Sequence, residues 1–174
     1  MNRLMAVLGF VVLLFTPGAT SKVRAADTSD AGFKLMRSES LDGLSLDMKS
    51  ASLTKLLGKP EKTGKEENWE AIGEWVQRWS WPKLGITAQM SSKEKGGAKT
   101  LLAVTLTAPS ERATRKGIRI GSTEAEVVAA YGKLRDKETS EAGKTFVAGS
   151  PYGGLIFTFS KGKVSEIFLG AAAE

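Results

Sequence analysis

Apolar and polar side chains alternate along several short segments, which predicts the strands of an antiparallel β-sheet. In the clearest of these segments, Leu155, Phe157 and Phe159 share one side. Because a strand places successive side chains on opposite faces, this alternation is typical of a sheet covered on one face only. The predicted strands are Glu74–Trp81, Leu84–Met90, Leu101–Thr107, Thr145–Ala148, Leu155–Ser160 and Val164–Leu169, with a short leading strand at Phe33–Arg37.

Turn residues predict how these strands connect. Gly162 can adopt the positive φ that a tight hairpin needs, so Ser160–Lys163 is predicted to join the last two strands. Residues 91–99 are polar and glycine-containing, which predicts an exposed hairpin tip. Lysines and glutamates are mixed over residues 59–67, a pattern that we interpret as a solvated loop.

Two further segments have the spacing of short helices that lie on the sheet. In the second of them, Val127, Val128 and Tyr131 form an apolar stripe. Ser122 is the predicted N-cap, and Gly132 is the predicted left-handed residue after the last turn. A helix of about ten residues is not stable alone, so it must pack on another element.

The first helix is predicted from the same signals. Asp47 is its predicted N-cap, and Gly58 its predicted left-handed end. Pro60 prevents the helix from continuing. Its apolar stripe consists of Leu53, Leu56 and Leu57.

These two helical segments belong to an internal repeat. Residues 43–59 align without gaps with residues 117–133 at a constant offset of 74 positions, with four identities and five further positions that are apolar in both. We therefore predict an α+β fold of two tandem repeats, each a short helix packed on an antiparallel sheet. The two sheets are predicted to join, with one face exposed to solvent.

The predicted organisation begins with an export signal. A basic start at Arg3 precedes an unbroken apolar run of twelve residues from Leu4 to Phe15, and the residues up to Ala25 suit a cleavage site. A spanning helix needs about 20 apolar residues, so a cleaved signal is favoured over a retained anchor. The predicted divisions are a signal peptide (1–25), an N-terminal linker (26–42), repeat 1 (43–108), a linker (109–116) and repeat 2 (117–174).

Composition narrows the chemistry. The 174-residue chain contains neither Cys nor His, which excludes disulfides, zinc sites built on those residues and imidazole catalysis. Removal of residues 1–25 would lower the formal charge from +6 to +3 because Arg3, Lys22 and Arg24 are lost. That charge is weak for a nucleic-acid partner.

No catalytic residue, cofactor site or metal site is predicted. Ser52–Lys55 and Lys62–Gly64 match two motifs of penicillin-interacting serine enzymes. Those enzymes need the two motifs far apart in the sequence, on a larger fold. The match is therefore interpreted as coincidence.

The segment Gly-Ile-Arg-Ile-Gly-Ser-Thr-Glu-Ala-Glu-Val-Val-Ala-Ala-Tyr-Gly at 117–132 resembles the helix start of bacterial proteins with the β-lactamase-inhibitory-protein-like fold. That fold includes the outer-membrane-assembly lipoproteins of the SmpA/OmlA group. The resemblance implies two fused copies whose joined sheets form a concave face that grips a protein partner. It covers about 45–170 as architecture, but only the two helix motifs as sequence.

The chain also departs from that family. It has neither the lipidated cysteine of the lipoproteins nor the disulfides of the inhibitory protein, since it lacks cysteine. None of the inhibitory protein's partner-gripping residues has a match here. Inhibition of a β-lactamase is therefore not implied.

The candidate binding residues lie in the first repeat. Four tryptophans fall within thirteen residues, and we expect Trp75 and Trp79 in the core but Trp69 and Trp81 exposed, since tryptophan is a common interface anchor. The polar side of the strands supplies the other candidates. The predicted partner-binding residues are Trp69, Arg78, Trp81, Thr87, Gln89 and Thr105.

These observations predict an exported, non-enzymatic protein-binding module of the bacterial envelope, periplasmic or secreted. It is expected to bind another protein through the exposed sheet face, with no nucleic-acid partner and no transmembrane span in the mature chain. One alternative is a secreted inhibitor of an extracellular enzyme. Another is a carbohydrate-binding module that uses exposed tryptophans.

Overall fold

Residues 21–150 and 152–171, which the computed structural model describes, form an α+β structure of three α-helices and seven β-strands. The helices are α1 (Ser21–Ser38), α2 (Ser50–Leu57) and α3 (Glu124–Tyr131). The strands are β1 (Lys62–Trp69), β2 (Glu74–Trp81), β3 (Ile86–Ser92), β4 (Thr100–Thr107), β5 (Thr145–Ser150), β6 (Gly153–Ser160) and β7 (Lys163–Gly170). Most of the predicted signal peptide, residues 1–20, lies outside the described residues, and its last five positions fall in α1.

The seven strands form one antiparallel sheet in the order β1-β2-β3-β4-β7-β6-β5. One face carries the core, in which Leu106, Phe157 and Ile167 are fully buried. Leu53 of α2 and Tyr131 of α3 belong to the same cluster. The helices therefore cover this face, and the predicted α+β fold with an antiparallel sheet is confirmed.

The strand predictions succeed where the alternation is strong. β2 has the predicted bounds, and the predicted Ser160–Lys163 hairpin is present, with positive φ at its two central residues. The predicted strand at Leu84–Met90 begins later, because Pro82–Leu84 forms a 3₁₀ helix and Leu84 is exposed. The strand predicted at Phe33–Arg37 is wrong, since those residues belong to α1.

β1 corrects the interpretation of residues 59–67 as a solvated loop. It is an edge strand with mostly exposed side chains on both faces, so it shows no apolar alternation. Glu66 fastens it to the connection between β3 and β4: its carboxylate accepts hydrogen bonds from Gly96 N (2.7 Å) and Lys99 Nζ (2.5 Å). The Lys99 bond is the main cause that lowers the pKa of Glu66 below its ordinary value.

A β-bulge in β4 changes which of its side chains face the core. Gln89 pairs with Ala103 and Met90 with Leu101, which leaves Leu102 without a partner in β3. The extra residue reverses the alternation locally. Leu101 is therefore fully buried, whereas Leu102, which strict alternation would place on the core face with Val104 and Leu106, is half-buried.

The start of α3 is fixed by a capping box one residue after the predicted cap. Thr123 Oγ1 accepts from the N–H of Glu126 (3.3 Å), and the N–H of Thr123 donates to Glu126 Oε2 (2.6 Å). The bond from the Thr123 N–H to the Glu126 carboxylate, together with a second from the Thr123 hydroxyl to Glu126 Oε2 (2.8 Å), lowers the pKa of Glu126 below its ordinary value. The prediction of Ser122 as N-cap is wrong; its hydroxyl accepts from Arg119 N instead (3.2 Å).

The start of α2 also differs from its prediction. Its N-cap is Lys49, which makes no side-chain cap hydrogen bond. Asp47 stands two residues earlier with a positive φ of 63°. The predicted Asp47 cap is therefore wrong, because the backbone reaches helical geometry only after Lys49.

α2 and α3 bury narrower apolar stripes than predicted, and only one of them ends at a left-handed glycine. Both helices have eight residues, and Leu56 and Val128, predicted in the apolar stripes, are 45% and 41% exposed. Gly58 has the predicted positive φ of 80°. Gly132 does not: its φ is −55°, because the chain continues from α3 into the 3₁₀ helix Gly132–Leu134.

The residues before α2 and before α3 attach to the sheet through the same pair of backbone hydrogen bonds. In each case the chain donates to, and then accepts from, one residue near the start of a central strand. The bonds are Asp47 N to Leu101 O (2.8 Å), Leu101 N to Met48 O (2.9 Å), Gly121 N to Val164 O (2.8 Å) and Val164 N to Ser122 O (2.8 Å). Each residue before α3 lies 74 positions after its counterpart before α2.

Glu39 joins α1 to the rest of the fold. It follows α1 directly and is 4% exposed. Its carboxylate accepts hydrogen bonds from Tyr131 Oη (2.7 Å), Arg115 N (2.9 Å) and Ser40 N (2.9 Å). The predicted linker 109–116 is therefore partly a structural segment, since Arg115 helps to satisfy a buried carboxylate.

Candidate functional site: the open face of the sheet

The strand register defines the face that lies opposite the core. Buried Ile86, Leu106 and Ile167 pair with one another across β3, β4 and β7, so their chain neighbours point to the other side. The side chains of this other side are called here the open face. The buried apolar side chains of the three helices belong to the core cluster on the opposite side.

One row of paired residues crosses six of the seven strands on the open face. Each member pairs with the next across a neighbouring pair of strands, from β2 to β5. The row consists of Ser80, Thr87, Thr105, Phe168, Ile156 and Val147. Its first three members are polar and its last three are apolar.

The polar half holds most of the predicted binding residues. Thr87 and Thr105 lie in the row itself, and Arg78 pairs with Gln89 beside them. Arg78 is exposed, and the other three are half-buried. Trp69 reaches the same face at the edge, where it pairs with Glu74 and is half-buried.

Trp81 is a correction. It was expected to be exposed, but it is 1% exposed and lies on the core face, where it pairs with Ile86. Its indole N–H donates to Gly58 O (3.1 Å) at the end of α2. It also makes an edge-to-face contact with half-buried Trp79, with ring centroids 6.3 Å apart. It therefore offers no surface to a partner.

The expectation that Trp75 lies in the core is also wrong. Trp75 is half-buried at the start of β2, and Lys95 Nζ lies 5.3 Å from its ring centroid. That distance permits a cation–π contact. The tryptophans are therefore divided between the two faces rather than gathered into one aromatic platform.

The apolar half of the open face escaped the sequence reasoning. Ile156 and Phe168 are half-buried, and Val147 is buried. Each follows or precedes a core residue, so its strand is apolar at consecutive positions. That break in alternation was the available signal: a strand with one wetted face should be polar at these positions.

Arg78 and Glu166 are among several charged groups on the open face that have no ionic partner. Lys62, Glu67 and Glu74 also lie on this face, opposite Ser80, Val76 and Trp69, and take part in no salt bridge among the described residues. Among the described residues, neither Arg78 nor Glu166 takes part in a salt bridge or a side-chain hydrogen bond. Glu166 is half-buried between Thr107 and Thr158 and lies beside the apolar half. Arg78 lies in the polar half, at the opposite corner.

A pocket lies away from the open face. A cavity of about 580 Å³ opens where the 3₁₀ turn after β2 meets the connection after β4. It is lined by Asp42, Lys83, Leu84, Ile86, Pro109, Ser110, Glu111 and Arg112. Arg112 already donates to the backbone carbonyl of Asp42, so its charge is partly engaged.

Within residues 21–150 and 152–171, no group of three or more acidic side chains is placed to hold a metal ion. No helix in that portion has the length and apolar character needed to cross a membrane.

Comparison with known proteins finds no matching family model, no matching curated protein and no matching solved structure.

Proposed function

We propose that this protein is an exported, non-enzymatic module of the bacterial cell envelope that binds another protein through the open face. One observation carries the proposal. Ile156 and Phe168 present partly accessible apolar surface beside a polar row. Apolar surface bordered by polar groups is a common mark of a protein-interaction site.

We further propose that the chain consists of two fused copies of one ancestral unit. The support is that α2 and α3 begin and end 74 positions apart, and that the same two hydrogen bonds precede each helix. The bulge at Leu102 has a counterpart at Ser165, which is skipped between the pairs Thr158–Glu166 and Phe159–Val164. This arrangement agrees with the resemblance to the β-lactamase-inhibitory-protein-like fold.

Export is proposed from residues 1–25 alone. The basic start and the apolar run are typical of a signal that is removed on secretion. Fractionation of cells that express the chain, followed by N-terminal sequencing, tests this point. Recovery in the periplasm with Ala26 as first residue is expected, whereas an intact chain in the cytosol would contradict it.

Site-specific photo-crosslinking tests the binding face. A photoreactive amino acid placed at Thr87 or at Ile156 should give adducts with an envelope protein. The same amino acid at Ala51, an exposed position on α2, serves as the matched control and should give none. Adducts of equal yield from Ala51, or none from either open-face position, would contradict the proposal.

The carbohydrate alternative needs an exposed aromatic platform. With Trp81 buried and Trp79 packed against the core, only Trp69 remains on the open face from the tryptophan group. The secreted-inhibitor alternative uses the same open face. The identity of a crosslinked partner, an extracellular enzyme or an envelope component, decides between those two readings.

A further inference from the structure

The two edge strands of the sheet differ in what lies beside them. β5, at one edge, is covered by residues 135–141, which follow α3. Glu141 and Thr145 exchange two backbone hydrogen bonds, both of 2.8 Å. Further along the strand, Val147 O accepts a hydrogen bond from Asp136 N (2.9 Å). Backbone groups on the outer side of β5 are therefore already engaged within the chain.

β1, at the other edge, has no such cover. Residues 132–144 connect α3 to β5, whereas only residues 58–61 connect α2 to β1. The first half of the chain therefore lacks the segment that covers the outer edge in the second half. Within the described part of the chain, no strand or isolated bridge pairs with the outer side of β1. A strand that is exposed in this way can pair with a strand of another molecule.

The charged side chains of β1 are ordered by sign along the strand. Lys62 and Lys65 lie in its first half, and Glu66 and Glu67 lie in its second half. Charges on an edge strand commonly discourage pairing, but this order discriminates between orientations. Antiparallel pairing of two β1 strands places the lysines of each copy near the glutamates of the other, whereas parallel pairing in register places like charges together.

Face and bonding single out one pair of these charges. Glu66 is already bound to Lys99 of its own chain. Lys62 and Glu67 are exposed, lie on the open face, and take part in no hydrogen bond or salt bridge among the described residues. Residues directly opposite each other in an antiparallel pair lie on the same face, so these two can face each other across two copies. That register also places Thr63 opposite Glu66, and both of these residues lie on the core face.

We propose that two copies of this chain pair through antiparallel β1 strands about a two-fold axis, with Lys62 of each copy opposite Glu67 of the other. The axis is perpendicular to the sheet, so the two sheets become continuous and both open faces point to the same side. Because the β5 edges are covered, assembly stops at a dimer. A single pair of strands is a small interface beside the roughly 1,600 Å² that a standard complex buries, so the dimer should dissociate on dilution.

Charge reversal tests the pairing, with sedimentation equilibrium of the purified protein as the measurement. Lys62→Glu and Glu67→Lys should each weaken dimerisation about tenfold, equivalent to about 1.4 kcal/mol, because each variant creates two like-charge pairs. An equimolar mixture of these two variants should dimerise about as well as the wild type, since each pair then joins opposite charges again. Lys133→Glu and Glu138→Lys, at exposed positions in the second half of the chain, are the matched controls and should change the affinity less than about twofold.

Cysteine pairing tests the register independently. The chain contains no cysteine, so an introduced thiol is unique. A mixture of Lys62→Cys and Glu67→Cys should form a disulfide-linked dimer under mild oxidation, because the two positions lie opposite each other. Lys62→Cys alone should crosslink far more slowly. Its two thiol positions are about 15 Å apart along the strands, beyond the roughly 7 Å between Cα atoms that a disulfide spans.

Three results would overturn the proposal. One is a protein that remains monomeric up to about 1 mM. Another is a dimer whose affinity neither charge variant changes, or which mixing the variants does not restore, with circular dichroism showing that both remain folded. The last is a dimer that Ile156→Thr dissociates and Lys62→Glu does not, which would assign the contact to the open face.

This pairing is independent of the binding proposed for the open face. A monomeric protein that still gives adducts from position 87 or 156 would refute the pairing alone. A dimer that gives no such adducts would refute the proposed binding function alone.

Discussion

Replacing Tyr131 by phenylalanine removes one hydroxyl from the buried junction between α1, α3 and the 109–116 connection. The ring stays in place against Phe157, at a centroid distance of 5.4 Å, so no cavity forms. The hydrogen bond from Tyr131 Oη to Glu39 Oε2 (2.7 Å) is lost. Glu39 keeps the backbone N–H groups of Ser40 and Arg115 as donors.

The expected loss follows from these contacts. A hydrogen bond to a charged group contributes about 1.5–3 kcal/mol, and because Glu39 retains two donors we expect a loss of about 2 kcal/mol. Urea denaturation at pH 7, followed by tryptophan fluorescence, measures the free energy of unfolding. Tyr152→Phe is the control variant. Because Tyr152 is 69% exposed, this change should alter the free energy of unfolding of the protein by less than about 0.5 kcal/mol.

The same variant should change the alkaline limit of stability. Burial, together with Glu39, raises the pKa of the Tyr131 hydroxyl above its ordinary value of 10.0. A raised folded-state pKa means that the stabilisation is complete below pH 10 and is lost as pH rises above it, at most about 1.4 kcal/mol per pH unit for one proton. Between pH 10 and 11, the wild type should therefore lose stability faster than Tyr131→Phe.

Two results would refute this reasoning. A loss below about 0.5 kcal/mol at pH 7 would mean that the bond to Glu39 contributes nothing net. Equal slopes for the wild type and Tyr131→Phe above pH 10 would mean that Tyr131 ionises as easily in the folded protein as in the unfolded chain.

The remaining predictions concern local geometry. Gly58→Ala should lower the free energy of unfolding by about 1 kcal/mol or more, because φ is 80° at that position. Gly132 has a φ of −55°, so Gly132→Ala should leave the free energy of unfolding unchanged or raise it by about 0.5 kcal/mol. Equal effects of the two variants in urea denaturation would contradict these backbone geometries. Thr123→Ala removes the capping box of α3 and should cost about 1 kcal/mol, and an unchanged melt would mean that the cap is dispensable. The hydrogen bond from Gly96 to Glu66 should persist above pH 4.5 and weaken as pH falls through the lowered pKa of Glu66, so the Gly96 amide resonance should shift in acid in the wild type but not in Glu66→Gln.

The sequence alone predicted the elements whose signals are local. β2 and the Ser160–Lys163 hairpin follow from alternation and from a glycine that tolerates positive φ. α2 and α3 were located from apolar spacing, although the cap of each was misassigned by one or two residues. α1 was not located, because part of it was predicted as a strand. These signals succeed because hydrophobic period and backbone preference are properties of a few consecutive residues.

Other features depend on contacts between distant residues. The sequence pattern of β1 is polar, yet β1 is a strand because it pairs with β2. Its Glu66 also accepts a hydrogen bond from the connection that follows β3. Gly132 has helical geometry because the chain continues from α3 into a 3₁₀ turn, whereas α2 ends directly before Gly58.

The open face was decided by the sheet as a whole. The sequence identified Thr87, Gln89 and Thr105 as sharing a polar side, but not Ile156 and Phe168 as their neighbours. Those neighbours are set by the pairing of β4 with β7, two strands separated by the whole of α3 and the β5–β6 hairpin. The pattern within a strand indicates which face of the sheet each side chain lies on. The register between strands that are far apart in the chain determines which residues become its neighbours on that face.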